Sequence, residues 1–311
     1  MDTKDKSPPR DYRAEVTEDI IRMLEAGTAP WQKPWEAGEF GRTPYNPTTD
    51  KPYRGGNVLG LMIASMRKGY TDPRFCTFKQ ALDNDWHVRK GEKATRIEFW
   101  EVKPGKRDSD APDDEKRGHM IHRVYSVFNA QQIDGIPALV IEERKPFEII
   151  EAAEALLKNS GAEIKHGGAR AYYSPSTDHI QMPPRECFAD EPGYYQTALH
   201  ELTHWTGAKH RLDRDLSHPF GTEGYAREEI RADLSSLYLS AETGIPYDPA
   251  NQAAYIHNWI QVLKNDKNEV FRAASDASKA CDYLQSLEKG ELPSPSHSEK
   301  LRSEDMTQRV R

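Results

Sequence analysis

Two histidines and a glutamate in the segment HELTH, residues 200–204, have the types and the spacing of a metal site. His200 and His204 are four residues apart, so on a helix they project from one face about one turn apart. Two neutral imidazoles placed in this way can bind one divalent ion, and Glu201 can take a proton from a water molecule beside it. Because chance would place such a motif in this chain only about 0.03 times, the pattern favours a hydrolytic metal site over a solvated helix surface.

A catalytic zinc ion usually has three protein ligands, and the sequence offers two routes to the third. The string HELTHWTGAKH has the spacing of a three-histidine site with His210 as third ligand, but such sites also need a methionine turn beneath the metal. Met306 is the only methionine after Met182, and it lies in a tail without a core-forming pattern. The three-histidine route therefore lacks support, and a carboxylate from a later helix is the better prediction.

The segment YAREEIRADLSSLYL supplies that carboxylate. Glu229 and Asp233 are four residues apart on one helix face, which predicts Glu229 as the third ligand and Asp233 as the acceptor that orients a ligand imidazole. Glu228 points about a third of a turn away and ranks second as ligand. Taken without the HELTH segment, the two carboxylates would indicate only a solvated acidic face.

The ligand set suits a zinc ion, while Mn²⁺ or another first-row ion is also compatible with it. Just before the metal helix, YYSPSTDHIQMPP alternates as an edge strand does, and such an edge can bind an extended peptide as an added strand. An ordinary hairpin is an equally good interpretation. Tyr225 and His210 are the candidates for contacts with the transition state.

The elements that must position these residues are predicted from periodicity and from glycine and proline signals. Helices are predicted near 12–24, 57–68, 77–86, 146–160, 191–207, 224–243, 248–265 and 268–288. Strands are predicted at 95–102 and 119–130, and in the segments AEIKHGG, RAYYSP and DHIQMPP. We predict an α+β protein from these elements.

The amino-terminal half combines basic and aromatic side chains. Residues 51–100 contain 10 Lys and Arg against 5 Asp and Glu, together with 7 aromatic residues. Basic groups neutralise phosphates and rings stack on exposed bases, so single-stranded DNA suits this half better than a duplex, for which a helix-turn-helix pattern is missing. The alternative is that the rings are core and the charges are solvated. The predicted DNA contacts are Trp31, Trp35, Tyr53, Arg54, Arg89, Lys90 and Lys93.

The predicted organisation has two domains, divided at the segment ERKPFE around Pro146. Between the two long strands, residues 103–118 are charged and lack apolar residues, as expected of a mobile hairpin tip. The predicted parts are a disordered start at 1–10, a single-stranded-DNA-binding domain at 11–145, a metal domain at 146–288 and a flexible tail at 289–311.

The composition argues against a membrane or secreted protein. Cys76, Cys187 and Cys281 are far apart and no CxxC occurs, so neither a disulfide framework nor a cysteine zinc site is expected. No apolar run reaches about 18 residues, and the amino terminus lacks an apolar targeting segment. We therefore predict a cytoplasmic location without a membrane partner.

Over about residues 11–288 the chain resembles the ArdC antirestriction proteins of conjugative plasmids, and its amino-terminal part is similar to that of plasmid TraC primases. The resemblance implies a single-stranded-DNA-binding α+β domain, followed by a zincin-like, mainly helical metallopeptidase domain of the gluzincin type with a small antiparallel sheet. At 233 the family commonly has glutamate where this chain has Asp233. The strings that carry the resemblance are PWQKPW, NPTTDKPYRGGNVLGL, TFKQALDNDWHVRKGEKAT, YSVFNAQQIDG, HELTHWTGAKHRL and YAREEIRADL.

The expected function is protection of incoming plasmid DNA from host restriction, with restriction subunits or other DNA-bound proteins as peptidase targets. The non-enzymatic alternative is a protein that coats single-stranded DNA and whose metal domain is structural or a docking module. A zinc nucleobase deaminase is excluded because the PCxxC half of its signature is missing.

Overall fold

The computed structural model describes residues 11–26, 42–103, 119–140, 146–245 and 256–290. The predictions for the amino-terminal ten residues, the loop after Lys103, the tail beyond Gly290 and the two tryptophans Trp31 and Trp35 lie outside the described residues. Within the described residues the fold is α+β, as predicted, and about half of these residues are helical.

The helices agree closely with the predicted segments, and their caps explain where they begin and end. Asp190 and Thr222 cap the two helices that carry the metal-site residues, each by accepting a hydrogen bond from the backbone three residues on. In the described part of the chain, no helix is long and apolar enough to cross a membrane. The helices are α1 (Tyr12–Glu25), α2 (Gly56–Lys68), α3 (Phe78–Leu82), α4 (Pro146–Ser160), α5 (Glu191–Thr206), α6 (Glu223–Thr243), α7 (Ile256–Asn265) and α8 (Glu269–Glu288).

In the ranges that the structure describes, ten strands form four small sheets. The pairs β1–β2 and β4–β7 are two-stranded, and the three-stranded sheets have the orders β3-β6-β5 and β8-β10-β9. The strands are β1 (Tyr45–Asn46), β2 (Lys51–Pro52), β3 (Phe75–Thr77), β4 (His87–Val88), β5 (Thr95–Lys103), β6 (His119–Asn129), β7 (Ile133–Asp134), β8 (Glu163–His166), β9 (Tyr172–Ser174) and β10 (His179–Met182).

The amino-terminal sheet narrows to a two-stranded ribbon. Strands β5 and β6 pair antiparallel along their whole length, from Thr95 opposite Val127 to Lys103 opposite His119. Strand β3 pairs with β6 only from Val127 to Asn129. From Ser126 back to His119, the ladder therefore consists of β5 and β6 alone. Side chains on both faces of this two-stranded part can reach solvent.

The carboxy-terminal sheet combines the predicted antiparallel pairing with one parallel pair. Strands β9 and β10 pair antiparallel as expected, whereas β8 runs parallel to β10. Ile180 and Met182 of β10 are fully buried, so β10 takes the centre and the two other strands take the edges. With β10 between them, β9 becomes the edge strand nearest the metal helix α5.

One hydrophobic core extends across the predicted boundary at 146. Ile20 of α1 and Leu59 of α2 belong to the same buried cluster as Leu202, Leu234 and most other apolar residues of the carboxy-terminal helices. Two smaller clusters lie under the amino-terminal sheets. The division into two domains remains a prediction, and α1 and α2 pack directly on the carboxy-terminal helices.

Candidate metal centre

Helices α5 and α6 bring His200, His204 and Glu229 together. The two Nε2 atoms lie 3.3 Å apart; Oε2 of Glu229 lies 3.5 Å from that of His200, and Oε1 of Glu229 lies 3.5 Å from that of His204. Ligand atoms about 2.0–2.1 Å from one tetrahedral ion are about 3.3 Å apart, so these separations fit a single ion. Among the described side chains, these three form the one group of potential ligands with suitable spacing.

Each imidazole is oriented by a carboxylate on its far side. Nδ1 of His200 lies 3.2 Å from Oδ1 of Asp233, and Nδ1 of His204 lies 3.2 Å from Oε1 of Glu228. When Nδ1 carries the proton and its N–H donates a hydrogen bond to the carboxylate, the lone pair of Nε2 is free to face the other two candidate ligands. Both rings thus present the nitrogen that a metal ion needs.

Glu228 takes part in the site through His204 and Arg214. Arg214 Nη2 donates to Oε1 of Glu228 over 2.9 Å, and its Nε lies 3.2 Å from both carboxylate oxygens. Nη2 also donates to the carbonyl of Thr203 over 2.6 Å, which ties the loop after α5 to that helix. The structure therefore places Glu228, the second-ranked ligand candidate, behind His204.

The buried carboxylates stabilise positive charge at the two imidazoles. Burial favours the neutral form of Glu229, but hydrogen bonds with His200 and His204 outweigh it and hold the pKa of this carboxylate below its usual range. Burial would likewise lower the pKa of His204, yet Glu228 and Glu229 raise it to about 9. Burial raises the pKa of Asp233 to about 6 despite the attraction of His200. A site with these properties suits a bound cation.

The three candidate ligands line a cavity of about 250 Å³. Glu201, only 8% exposed, lines it together with Tyr225, so both residues share a cavity with the candidate ligands. Tyr172 and Tyr173 of β9 form the opposite wall. The edge strand therefore borders the cavity in which a substrate would meet the metal.

His210 lies outside the wall of this cavity, contrary to its prediction as a transition-state contact. Its side chain is 64% exposed, and its Nε2 lies 3.3 Å from Oδ2 of Asp178. The loop after α5 turns it outward because the backbone of Leu212 bonds back to Thr206. His210 is not in the ligand group either, so the three-histidine route gains no support.

Sequence reasoning missed Asp215 and His218, which line the metal cavity from the same loop. His218 Nε2 lies 3.1 Å from Oδ2 of Asp215. The ring occupies space that a side chain at Gly224 would fill, since a Cβ there would lie 2.3 Å from it. A glycine in the first turn of α6 was the available signal, but glycine alone does not indicate which side chain needs the room.

Five of the predicted DNA contacts lie in the described part of the chain. Tyr53 packs against the core and its hydroxyl donates to the carbonyl of Phe75, which is a structural position rather than an exposed stacking surface. Arg54 is ion-paired with Asp282, and Arg89 with Glu92 and Asp134. The side chains of Lys90 and Lys93 are exposed.

An HExxH helix, a glutamate on the following helix and an adjoining edge strand define a zincin-like metallopeptidase domain. In agreement, residues 151–276 match the family model of zincin-like metallopeptidases. Residues 10–128 match the model of the N-terminal domain of the anti-restriction factor ArdC.

Two solved structures and a curated relative extend the comparison. The metal-free crystal structure of the antirestriction ArdC protein from plasmid R388 has a TM-score of 0.76 and 35% identity, covering 91% of this chain and all of that one. The Mn(II)-bound structure gives 0.73 and 36%, covering 90% and 98%. The DNA primase TraC of Escherichia coli is 45% identical over 300 residues, which span 92% of this chain and only 20% of the primase. This chain belongs to the ArdC antirestriction family.

Proposed function

We propose that this chain is an antirestriction protein that binds single-stranded DNA and hydrolyses peptide bonds at a zinc site, protecting incoming DNA during conjugation. The hydrolase part depends on one observation: the ligand atoms of His200, His204 and Glu229 converge with separations of 3.3 to 3.5 Å. The Mn(II)-bound relative supports a divalent ion at a site of this kind. Manganese remains the alternative to zinc, because both ions accept these ligands.

A bound divalent ion would supply Lewis acidity and make a nearby water molecule easier to deprotonate. The Glu201 carboxylate takes a proton from this water molecule and passes it to the nitrogen of the leaving amine. The Tyr225 hydroxyl donates a hydrogen bond to the oxygen on which negative charge develops. Strand β9 pairs with an extended peptide and places its carbonyl in the cavity.

The DNA part of the proposal rests on the match to the ArdC N-terminal domain and on charge. Residues 42–103 and 119–140 contain 13 Lys and Arg against 8 Asp and Glu, in a chain whose net charge is −7. A basic segment in the same chain as a peptidase domain would concentrate the peptidase near proteins bound to the same DNA. Subunits of restriction systems are the proposed targets.

Replacing Glu201 with Gln tests the hydrolase part. The variant keeps the size of the side chain, so metal content and DNA affinity should be unchanged, while proteolysis falls about 100-fold or more. Protection is measured as the survival of unmodified plasmid entering a restricting host. Glu191→Gln, in the first turn of the same helix, is the matched control. Full protection by Glu201→Gln would favour the coating protein over the peptidase.

A further inference from the structure

The ribbon formed by β5 and β6 carries aromatic side chains that are partly exposed to solvent. Trp100 is 46% exposed, and His122, its partner across the ladder, stacks on it with ring centres 4.2 Å apart. The guanidinium of Arg13 lies 5.6 Å from the centre of the Trp100 ring and 4.9 Å from that of Phe271. Arg13 thereby joins the ribbon to helices α1 and α8.

A cleft of about 350 Å³ opens where these elements meet. Trp100 and Phe271 supply aromatic walls, and Arg54 and Lys279 line the cleft with side chains that are 51% and 62% exposed. The volume is at the lower end of the range for small-ligand sites, which suffices for one base and its sugar.

Two carboxylates also line the cleft, and both are neutralised. Arg13 binds Glu98 through Nε and Nη2 over 2.7 to 3.0 Å, and Arg54 is ion-paired with Asp282. Lys279 adds a further positive charge, which it shares with Asp276 at 2.9 Å. The lining therefore carries three cations against two anions, a balance that suits a neutral planar group joined to phosphates.

We propose that this cleft, the Trp100 cleft, holds one nucleotide of the single-stranded DNA, with its base against Trp100 and a flanking phosphate at Arg54 and Lys279. The inference rests on the proposed DNA function and adds a binding site to it. Stacking on an indole tolerates every base, so the cleft would bind DNA without sequence preference. Its position also brings helix α8, which packs on the Glu229 helix α6, into the DNA site.

Anisotropy of a labelled oligothymidylate about 20 nucleotides long, titrated with the full chain, tests the Trp100 cleft. Trp100→Ala should weaken binding about tenfold, and Trp100→Phe, which keeps a flat ring, should recover most of the affinity. Phe99→Ala is the matched control, because Phe99 is 51% exposed on the same strand and points to the opposite face of the ribbon. Phe99→Ala should change the dissociation constant for the oligothymidylate less than twofold.

The phosphate contact is tested by salt dependence. Lys279→Ala should reduce the slope of log affinity against log salt concentration by about 0.7, whereas Lys264→Ala, an exposed lysine ion-paired with Glu25, should leave it unchanged. Thermal melting shows that each variant is folded. Equal binding by Trp100→Ala and wild type, or equal losses in Trp100→Ala and Phe99→Ala, would overturn the Trp100 cleft alone. A wild-type chain that binds no single-stranded DNA would overturn the DNA part of the proposed function as well.

Discussion

Asp233 reaches His200 across the interface of α5 and α6, with 3.2 Å between its Oδ1 and Nδ1 of the ring. An aspartate side chain is one methylene shorter than a glutamate, so whether its carboxylate reaches the ring was open from sequence. The shorter side chain suffices because Asp233 is fully buried, one helical turn after Glu229, on the face of α6 that packs against the metal helix.

From this contact we expect Asp233→Ala to weaken metal binding about tenfold to 100-fold, since the His200 ring loses the acceptor that fixes its orientation. Competition with a chromophoric chelator measures the affinity for Zn²⁺. Asp276→Ala, which removes a partly buried carboxylate of α8 that contacts Arg231, separates a general loss of stability from this effect. Unchanged zinc affinity in Asp233→Ala would show that the contact does not orient the ring.

The local part of the metal site could be predicted because it depends on one helix only. His200 and His204 are four residues apart, and in an α-helix this spacing places both side chains on the same face. The role of Glu228 could not be predicted, because neighbouring positions on α6 differ by about 100° in direction. Which of them faces the metal depends on how Ile230 and Leu234 pack in the core, and this rotation has no local signal.

Two kinds of feature could not be predicted from the sequence: the directions of side chains in loops and the pairing of strands distant in sequence. His210 and His218 lie in the same loop, and only its tertiary hydrogen bonds decide that the first turns outward and the second lines the cavity. The helix bounds were predictable from periodicity and glycine signals. The parallel pairing of β8 was not, because strand order depends on contacts between segments distant in sequence.

The two adjacent glutamates of α6 should differ in their effect on the metal. Glu229→Ala removes a ligand and should abolish stoichiometric zinc binding, whereas Glu228→Ala removes a partner of His204 and should weaken binding about tenfold to 100-fold. Metal content after gel filtration, followed by chelator titration, distinguishes the two. The reverse order of effects would make Glu228 the ligand.

Arg214 should be a large contributor to stability. Its side chain is 8% exposed, and Arg214→Ala would remove the guanidinium from the buried carboxylate of Glu228 and one of the two side-chain donors from the carbonyl of Thr203. Loss of one partner of a buried ion pair costs about 3 kcal/mol, or about 6–12 °C in melting temperature for a domain of this size. Arg42→Ala, which removes an exposed ion pair with Asp50, should cost less than about 1 kcal/mol. Equal melting temperatures for both variants would contradict this assignment.

Glu242 should make the free energy of unfolding depend on pH. Burial raises the pKa of this carboxylate to about 7, against the attraction of Arg54 and with added repulsion from Asp282. Because the folded chain holds this proton more tightly than the unfolded chain, the contribution to stability is complete below the ordinary value of 4.5. It is lost as the pH rises through 7.

Glu242→Gln removes this titration and keeps the side-chain volume and an acceptor for the Gln285 amide. We expect the variant to exceed wild type in unfolding free energy by about 1–2 kcal/mol near pH 8, after allowance for solvent screening, and to match it near pH 4.5. Urea titrations at both pH values measure the difference, with Glu288→Gln at the exposed end of α8 as control. The same difference at both pH values would show that Glu242 keeps its ordinary pKa in the folded chain, because only a raised pKa makes the advantage of glutamine grow as protons are removed.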